Sequence, residues 1–291
     1  MKNKVVIIGA NGQLGHDLID VFSDWDIVAL NGPPEKGINI SDKKNVERVF
    51  KNISAEYIIN TAAFTNVPEC EKRKELAYSV NTLGAYNVAL MCKNRGFKLV
   101  HISTDYVFDG EKNTPYTEDD RPNPLNYYGY TKLEAEKAIL ELQCSYYILR
   151  TSGLYGKAGC LLKGGNFVDK MLNFAKEGKK ISVVEDEILT PTSSLQLAKQ
   201  IKKMCEANVP SGIYHATNQG ECSWYDFTKE IFNITGLEGD IIPVKQKDLQ
   251  SSVIRPHYSV LENRNLREQG IDIMDDWKCA LKEYLMFVRK E

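Results

Sequence analysis

The chain is poor in the features that mark several protein classes. Its 291 residues include seven cysteines, Cys70, Cys92, Cys144, Cys160, Cys205, Cys222 and Cys279, and none stand in a Cys-x-x-Cys pair. An odd number without paired spacing argues against a disulfide framework or a cysteine zinc site and suits reduced thiols. The four histidines, His16, His101, His215 and His257, are scattered, so no metal is expected. The apolar run VVII ahead of Gly9 is too short for a signal-peptide core, and no later run is long enough to cross a membrane. The expectation is a cytoplasmic protein with no membrane partner. Charge is close to balanced: 37 Lys and Arg against 39 Asp and Glu, net -2. No basic stripe stands out, so nucleic acid is not an expected partner. The small run EKRKE at 71–75 reads as a solvated helix face. Internal repeats and low-complexity tracts are also missing.

What is present is ordinary globular material, 43% hydrophobic and 26% charged, in a chain long enough to bury a core without staples. Short apolar runs alternate with helical patterns through the first half. Residues 5–8, 26–30, 57–60, 98–103 and 146–150 read as strands, with helical stretches at 12–23, 42–53, 75–95 and 126–143. Near-continuous hydrophobicity in the strands suggests burial on both faces, as in a parallel sheet. The alternation predicts an α/β fold, a Rossmann-type doubly wound parallel sheet. After 150 the pattern loosens. Residues 156–165 look like a glycine-rich loop, and helices are expected at 166–177, 193–207, 223–235 and 275–289. A smaller C-terminal lobe, partly interleaved with the first, is expected over 156–187 and 219–291. The dinucleotide-binding domain would take 1–155 plus about 188–218.

The first strand runs into GANGQLG, with glycines at 9, 12 and 15. Glycine permits a tight turn and lets backbone N–H groups approach a pyrophosphate, while the helix that follows favours its negative charge. A glycine triplet alone is weak; following a strand and opening a helix at the head of a βαβ series, it favours dinucleotide binding over an ordinary turn. The end of the second strand normally separates NAD from NADP. Here it reads ALNGPPEKG, with Asn31 where an acid would hold a ribose and Lys36 nearby. Either NADPH or NADH fits.

The stretch NYYGYTKLEAEK at 126–137 packs three tyrosines ahead of Lys132. Only Tyr128 lies four residues before it, on the same helix face. A free tyrosine has a pKa near ~10, too high for efficient proton transfer at neutral pH; a nearby ammonium favours the phenolate. The run HISTDYVFDG places Ser103, Thr104 and Asp105 at a strand's C-terminal end, the edge where open α/β sheets bind ligands. A lone Tyr-x-x-x-Lys is common; downstream of a strand-end hydroxyl in a dinucleotide-binding pattern it gains weight. By contrast Trp224, Tyr225 and Phe227 in CSWYDF read most simply as packing residues at a helix start, and nothing near Cys160 suggests an activated thiolate.

Together GANGQLG, NTAAFTNVPECE (60–71), STDYVFDG (103–110), YGYTKLEAE (128–136) and RPHYSVLEN (255–263) resemble the extended short-chain dehydrogenase/reductase family. The resemblance is nearest to its dTDP-4-dehydrorhamnose reductase branch and runs nearly end to end. It implies hydride transfer from NADPH or NADH to the C4 carbonyl of a nucleotide-linked 4-dehydro-6-deoxy-sugar, for cell-surface polysaccharide precursors. Tyr128 would supply the proton, Lys132 would tune it and bind the nicotinamide ribose, and Thr104 would hydrogen-bond the reacting oxygen. Gly9, Asn11, Gly12, Gln13 and Leu14 would wrap the pyrophosphate. Asn39 and Ile40 would lie by the adenine, and Ala62, Ala63 and Thr65 along the cofactor's middle, with Asn81 bracing the site. Val67, Asp105, Asn166 and Arg255 would lie nearer the nucleotide-sugar substrate. A homodimer is compatible with the resemblance. One position departs: where the family commonly sets a tryptophan against the sugar, this chain has Gly153, which removes a large apolar surface.

Two rivals remain at this stage. An epimerase or dehydratase of the same superfamily is one, although a dehydratase usually carries an acidic pair beside the strand-end threonine, and here Asp105 is followed by Tyr106. The other is a non-catalytic cofactor-binding regulator, like the regulatory subunit of methionine adenosyltransferase, since fold alone does not prove catalysis.

Overall fold

The computed structural model describes residues 3–32, 37–158, 165–249 and 253–288. Lys36, Cys160 and most of the glycine-rich loop expected at 156–165 therefore lie outside the described residues.

A parallel sheet of six strands organises the first half. β1 (Lys4–Ile8), β2 (Asp26–Leu30), β3 (Tyr57–Asn60), β4 (Lys98–Thr104) and β5 (Tyr146–Thr151) are joined by β10 (Gly212–His215), in the order β10-β5-β4-β3-β1-β2. Alternation along β1 shows why both faces are covered. Val5 and Ile7 pack with Leu14 and Leu18 of α1 (Gln13–Val21), with Phe22 at its C-cap, and with Leu197 and Ile201 of α8 (Ser194–Ala207). Val6 and Ile8 face the other way, toward Val46 and Phe50 of α2 (Lys43–Phe50), Val88 and Ala89 of α5 (Gly84–Arg95) and Ile139 of α6 (Tyr127–Leu142). Strand order reverses beside β1, which has β2 on one side and β3 on the other. That switch point is where doubly wound sheets hold their ligands.

The expected helix over 75–95 is broken. Its place is taken by α4 (Lys74–Tyr78), a π-helical turn over Ser79–Leu83 and then α5; α3 (Val67–Lys72) precedes them. Periodicity cannot reveal a π turn, because it inserts one residue into an otherwise helical pattern.

A second core lies in the C-terminal part. Tyr155, Val168, Met171, Phe227, Ile231, Trp277, Leu281 and Tyr284 cluster there, carried largely by α7 (Phe167–Lys176), α9 (Trp224–Thr235) and α11 (Trp277–Val288). Phe227 is fully buried, and the Trp224 ring sits 4.4 Å from Phe167. A parallel pair of strands, β7 (Ile181–Val184) and β12 (Ile241–Val244), flanks this core. No described helix is long and apolar enough to cross a membrane.

Candidate active site

The glycine loop turns immediately after β1. Gly9 has φ +83°, and an added Cβ would stand 2.5 Å from Thr61 Oγ1. Gly9 N–H donates to Leu30 O at 2.8 Å and Gly12 N–H to Gly9 O at 2.9 Å. A Cβ on Gly15 would collide with Gly9 O, so glycine there lets α1 start close against the loop. The loop is tied sideways by Asn31, whose Oδ1 accepts from Asn11 N at 2.9 Å. Asn31 thus braces the loop with its amide oxygen. Two polar atoms are buried and have no hydrogen-bond partner, Gln13 Oε1 at the end of this loop and Thr65 Oγ1 in the segment after β3. A buried polar group normally finds a partner. Orphans of this kind are what a bound dinucleotide would satisfy, so the residues fit such a cofactor. At the same edge Ile40 is buried and Asn39 exposed. Asn39 is held locally, its Oδ1 accepting from Ser41 N at 3.1 Å, while Asn87 Nδ2 donates to Ile40 O at 2.9 Å. Ala62 and Ala63 are half-buried after β3, and Ala62 N donates to Asn60 Oδ1 at 3.2 Å.

Asn81 is delivered by the π turn. Its Oδ1 accepts from Phe64 N at 2.7 Å, and its Nδ2 donates to Phe64 O at 3.1 Å and Thr131 Oγ1 at 3.0 Å. Thr82, next along the turn, donates to Thr131 O at 2.8 Å. The turn therefore clamps the segment after β3 onto α6, with the Asn81 amide engaged in the clamp.

Helix α6 begins at a cap: Asn126 Oδ1 accepts from Gly129 N at 2.9 Å, and its Nδ2 reaches Ile254 O at 3.1 Å. A Cβ on Gly129 would collide with Tyr106 O. Glycine at the centre of Tyr-Gly-Tyr is what lets the first turn of α6 press against the chain leaving β4. The Tyr128 ring consequently meets Tyr106 edge-on, with centroids 6.1 Å apart. The Tyr127 and Tyr130 rings pair with each other at 5.5 Å, and Tyr130 is exposed. One turn beyond Tyr128, Lys132 is buried against β4. Its Nζ donates to Ile102 O at 2.6 Å and lies 3.2 Å from His101 Nε2. Burial drives the Lys132 pKa down from 10.5 to about 8, opposed by the Glu136 carboxylate. His101, wholly buried, falls well below the usual imidazole range through burial and the adjacent Lys132.

Thr104 ends β4. Its Oγ1 donates to Asp105 Oδ1 at 2.9 Å and accepts from Tyr106 N at 3.2 Å. The resemblance set Asp105 nearer the substrate, and it follows directly on Thr104. Its carboxylate is buried and receives Ser152 Oγ at 2.8 Å and Ser259 Oγ at 2.7 Å as well as Thr104. Burial raises its pKa, and the three hydroxyls oppose the rise. It anchors Thr104 to the SVL element of the C-terminal half. Asn166, which the resemblance also set nearer the substrate, is buried. It caps α7, and its Nδ2 donates to Gly156 O at 2.9 Å and Tyr284 OH at 3.1 Å, so its amide is committed to packing the second core. Val67 opens α3 and is buried.

Gly153 has φ +53°, and a Cβ there would stand 2.8 Å from Leu189 Cδ1. The space above this glycine is filled by Leu189. Arg255 lies close enough to Tyr106 and Glu187 for its charge to lower both their pKa values, although burial leaves each raised. Sequence reading passed over Glu187, Tyr106 and His101. Glu187 is buried and accepts from Gln246 Nε2 at 2.8 Å. Nothing in EDEIL marks that acid as inward-facing, whereas His101 and Tyr106 flank the quoted STD and could have been read with it.

The model of the RmlD substrate binding domain family matches residues 3–289. The chain belongs to that family. It is 39% identical over 284 residues to the spore coat polysaccharide biosynthesis protein SpsK of Bacillus subtilis, covering 97% of this chain and 96% of that one. It is 34% identical over 287 residues to a dTDP-4-keto-6-deoxy-D-glucose reductase of Streptomyces niveus, covering 97% and 96%. A solved dTDP-4-dehydrorhamnose reductase of Bacillus anthracis in complex with NADP superposes with a TM-score of 0.92 at 38% identity, covering 98% and 99% of the two chains. The NAD(P)H-dependent oxidoreductase class and the Rossmann-type fold expected from the sequence both stand.

Proposed function

We propose that this member of the RmlD family reduces the C4 keto group of a nucleotide-linked 4-dehydro-6-deoxy-sugar. The favoured reaction is dTDP-4-dehydro-β-L-rhamnose to dTDP-L-rhamnose, feeding cell-surface polysaccharide synthesis in the cytoplasm. The observation that carries the reading is the convergence at one strand end of a hydroxyl, a phenol and a buried amine: Thr104 closing β4, Tyr128 on the first turn of α6, and Lys132 hydrogen-bonded to Ile102 of β4 at 2.6 Å.

NADPH or NADH, when bound, supplies the hydride. The glycine loop from Gly9 through Leu14, with the orphaned Gln13 Oε1 and Thr65 Oγ1, would hold it at the switch point. Thr104 orients the keto oxygen by turning its one hydroxyl proton from Asp105 to that oxygen. Tyr128 gives its phenolic proton to the oxygen as it gains negative charge. The positive form of Lys132 favours the phenolate left behind. Arg255, with Glu187 nearby, faces the remainder of the nucleotide sugar. We assign 156–187 and 219–291 to the lobe that closes over it, and a homodimer to the assembled state. The Gly153–Leu189 arrangement supports a second reading, a related 4-keto sugar in place of the rhamnose precursor, because the family's broad aromatic floor is absent.

The test is oxidation of NADH and of NADPH with dTDP-4-dehydro-6-deoxy-L-mannose generated in situ, the product being identified. Oxidation yielding dTDP-L-rhamnose supports the reading. Cofactor binding without oxidation of any 4-keto nucleotide sugar would sink it in favour of a regulatory role.

A further inference from the structure

A buried ammonium normally seeks a carboxylate, because taking an unpaired charge out of water is costly. Lys132 has been given something else. The nearest acid named by its electrostatics is Glu136, and that carboxylate is already engaged by Arg150, at 2.7 Å and 3.0 Å, and by Ser103 at 2.5 Å. Against Nζ stands the neutral ring of His101, fully buried at the centre of β4, directly opposite Asn60 in the parallel register with β3.

The orientation of Asn60 restricts that ring. Its Oδ1 accepts from Ala62 N at 3.2 Å, so its Nδ2 faces His101 Nδ1, 3.5 Å away. An amide N–H presented to Nδ1 favours a lone pair there. A neutral imidazole with Nδ1 bare carries its proton on Nε2, which points at Lys132 Nζ. That tautomer donates to a neutral amine. An ammonium at Nζ requires the opposite tautomer, with Nε2 accepting and the proton on Nδ1. Ile102 O accepts from Nζ in either case.

We propose that Asn60 and His101 form a positioning unit for Lys132: Asn60 biases the imidazole toward the tautomer that stabilises the uncharged amine, and the ring changes tautomer, without becoming charged, when the lysine takes up a proton. The lysine is then held at one point in both protonation states, and its acidity stays close to working pH. The charged or titratable groups around the unit are Lys132, Tyr128 and Glu136 on α6 and Arg150 on β5; β3 contributes the neutral Asn60. The inference rests on the reading that Lys132 acts with Tyr128.

Its test is nitrogen-15 NMR of the imidazoles in the full chain with bound cofactor, across pH 6 to about 10, the range spanning the ordinary histidine and lysine values. The His101 nitrogens are expected to exchange values with each other, Nε2 gaining the proton as pH rises, at a midpoint matching the alkaline limb of kcat. In Lys132→Met the Nε2–H form should persist throughout. Asn60→Asp, which keeps the acceptor for Ala62 N but favours Nδ1–H, should move the alkaline limb upward by about one unit, as a nearby carboxylate does, with cofactor affinity unchanged. A His101 ring that becomes an imidazolium, or keeps one tautomer at every pH in the native protein, overturns the proposal, as does an unmoved limb in Asn60→Asp. The spectra decide even where a variant does not fold. Failure of the reading that Lys132 acts with Tyr128 would show separately, as full turnover in Tyr128→Phe.

Discussion

Two glycines decide where the site's side chains can stand. Gly129 is needed because a Cβ would strike Tyr106 O. Gly129→Ala is expected to push α6 off the β4 exit and carry Tyr128 away from Thr104. Overpacking of this kind costs about 1–3 kcal/mol, so the melting temperature should fall and kcat should fall further than cofactor affinity. Gly153 differs in kind. It has a positive φ, and the Leu189 side chain occupies the room above it. Gly153→Trp alone is expected to destabilise the protein by about 1–3 kcal/mol through backbone strain and collision. Adding Leu189→Gly should recover part of that loss in thermal melts. At this scale spacing singled out Tyr128 and Lys132, and the resemblance supplied the role expected of Thr104. The hydrogen-bond partners of Asp105 and Asn166 were not legible, because they are distant in the chain, here Ser259 and Tyr284.

Elements were legible wherever the pattern was local. The strands over 26–30 and 57–60 and the helix over 126–143 lie within a residue or so of Asp26–Leu30, Tyr57–Asn60 and Tyr127–Leu142, since apolar runs and an Asn cap announce them. Strand β10 went unread: four residues, GIYH, carry too little pattern, and pairing with β5 defines them. The π turn was equally hidden, yet it carries Asn81 to the two backbone groups of Phe64 and to Thr131. Removing a buried hydrogen-bonding side chain that leaves its partners unpaired costs about 1–3 kcal/mol per group. Asn81→Ala should therefore loosen the segment after β3. The expected sign is a raised KM for the nicotinamide cofactor with a smaller change in kcat, read from steady-state kinetics.

The whole molecule accepts a stability cost at Lys132 for the sake of the site. The lysine's pKa falls from 10.5 to about 8 on folding, so between those values the unfolded chain binds more protons than the folded one. Stability contributed by the uncharged amine is thus present above the unfolded value and lost as pH falls through the folded one. The Lys132 contribution should rise with pH across that window by roughly 3 kcal/mol, at ~1.4 kcal/mol per unit, against the opposite contributions of buried groups whose pKa values are raised, such as Cys205 and Cys222. Urea melts at successive pH values should therefore show the native protein gaining stability relative to Lys132→Met as pH rises through that window. A parallel sheet and a smaller C-terminal lobe could be anticipated from the sequence pattern, whereas the packing of α7, α9 and α11 into one core depends on contacts between segments distant in the chain. The proposed chemistry turns on one phenol, Tyr128 in the first turn of α6. Turnover of a 4-keto nucleotide sugar by Tyr128→Phe, beside the native protein and with cofactor binding followed in both, tests that most directly. Loss of the proton donor should lower kcat by about 10²–10⁴-fold while cofactor affinity holds; turnover unchanged in the phenylalanine variant would contradict it.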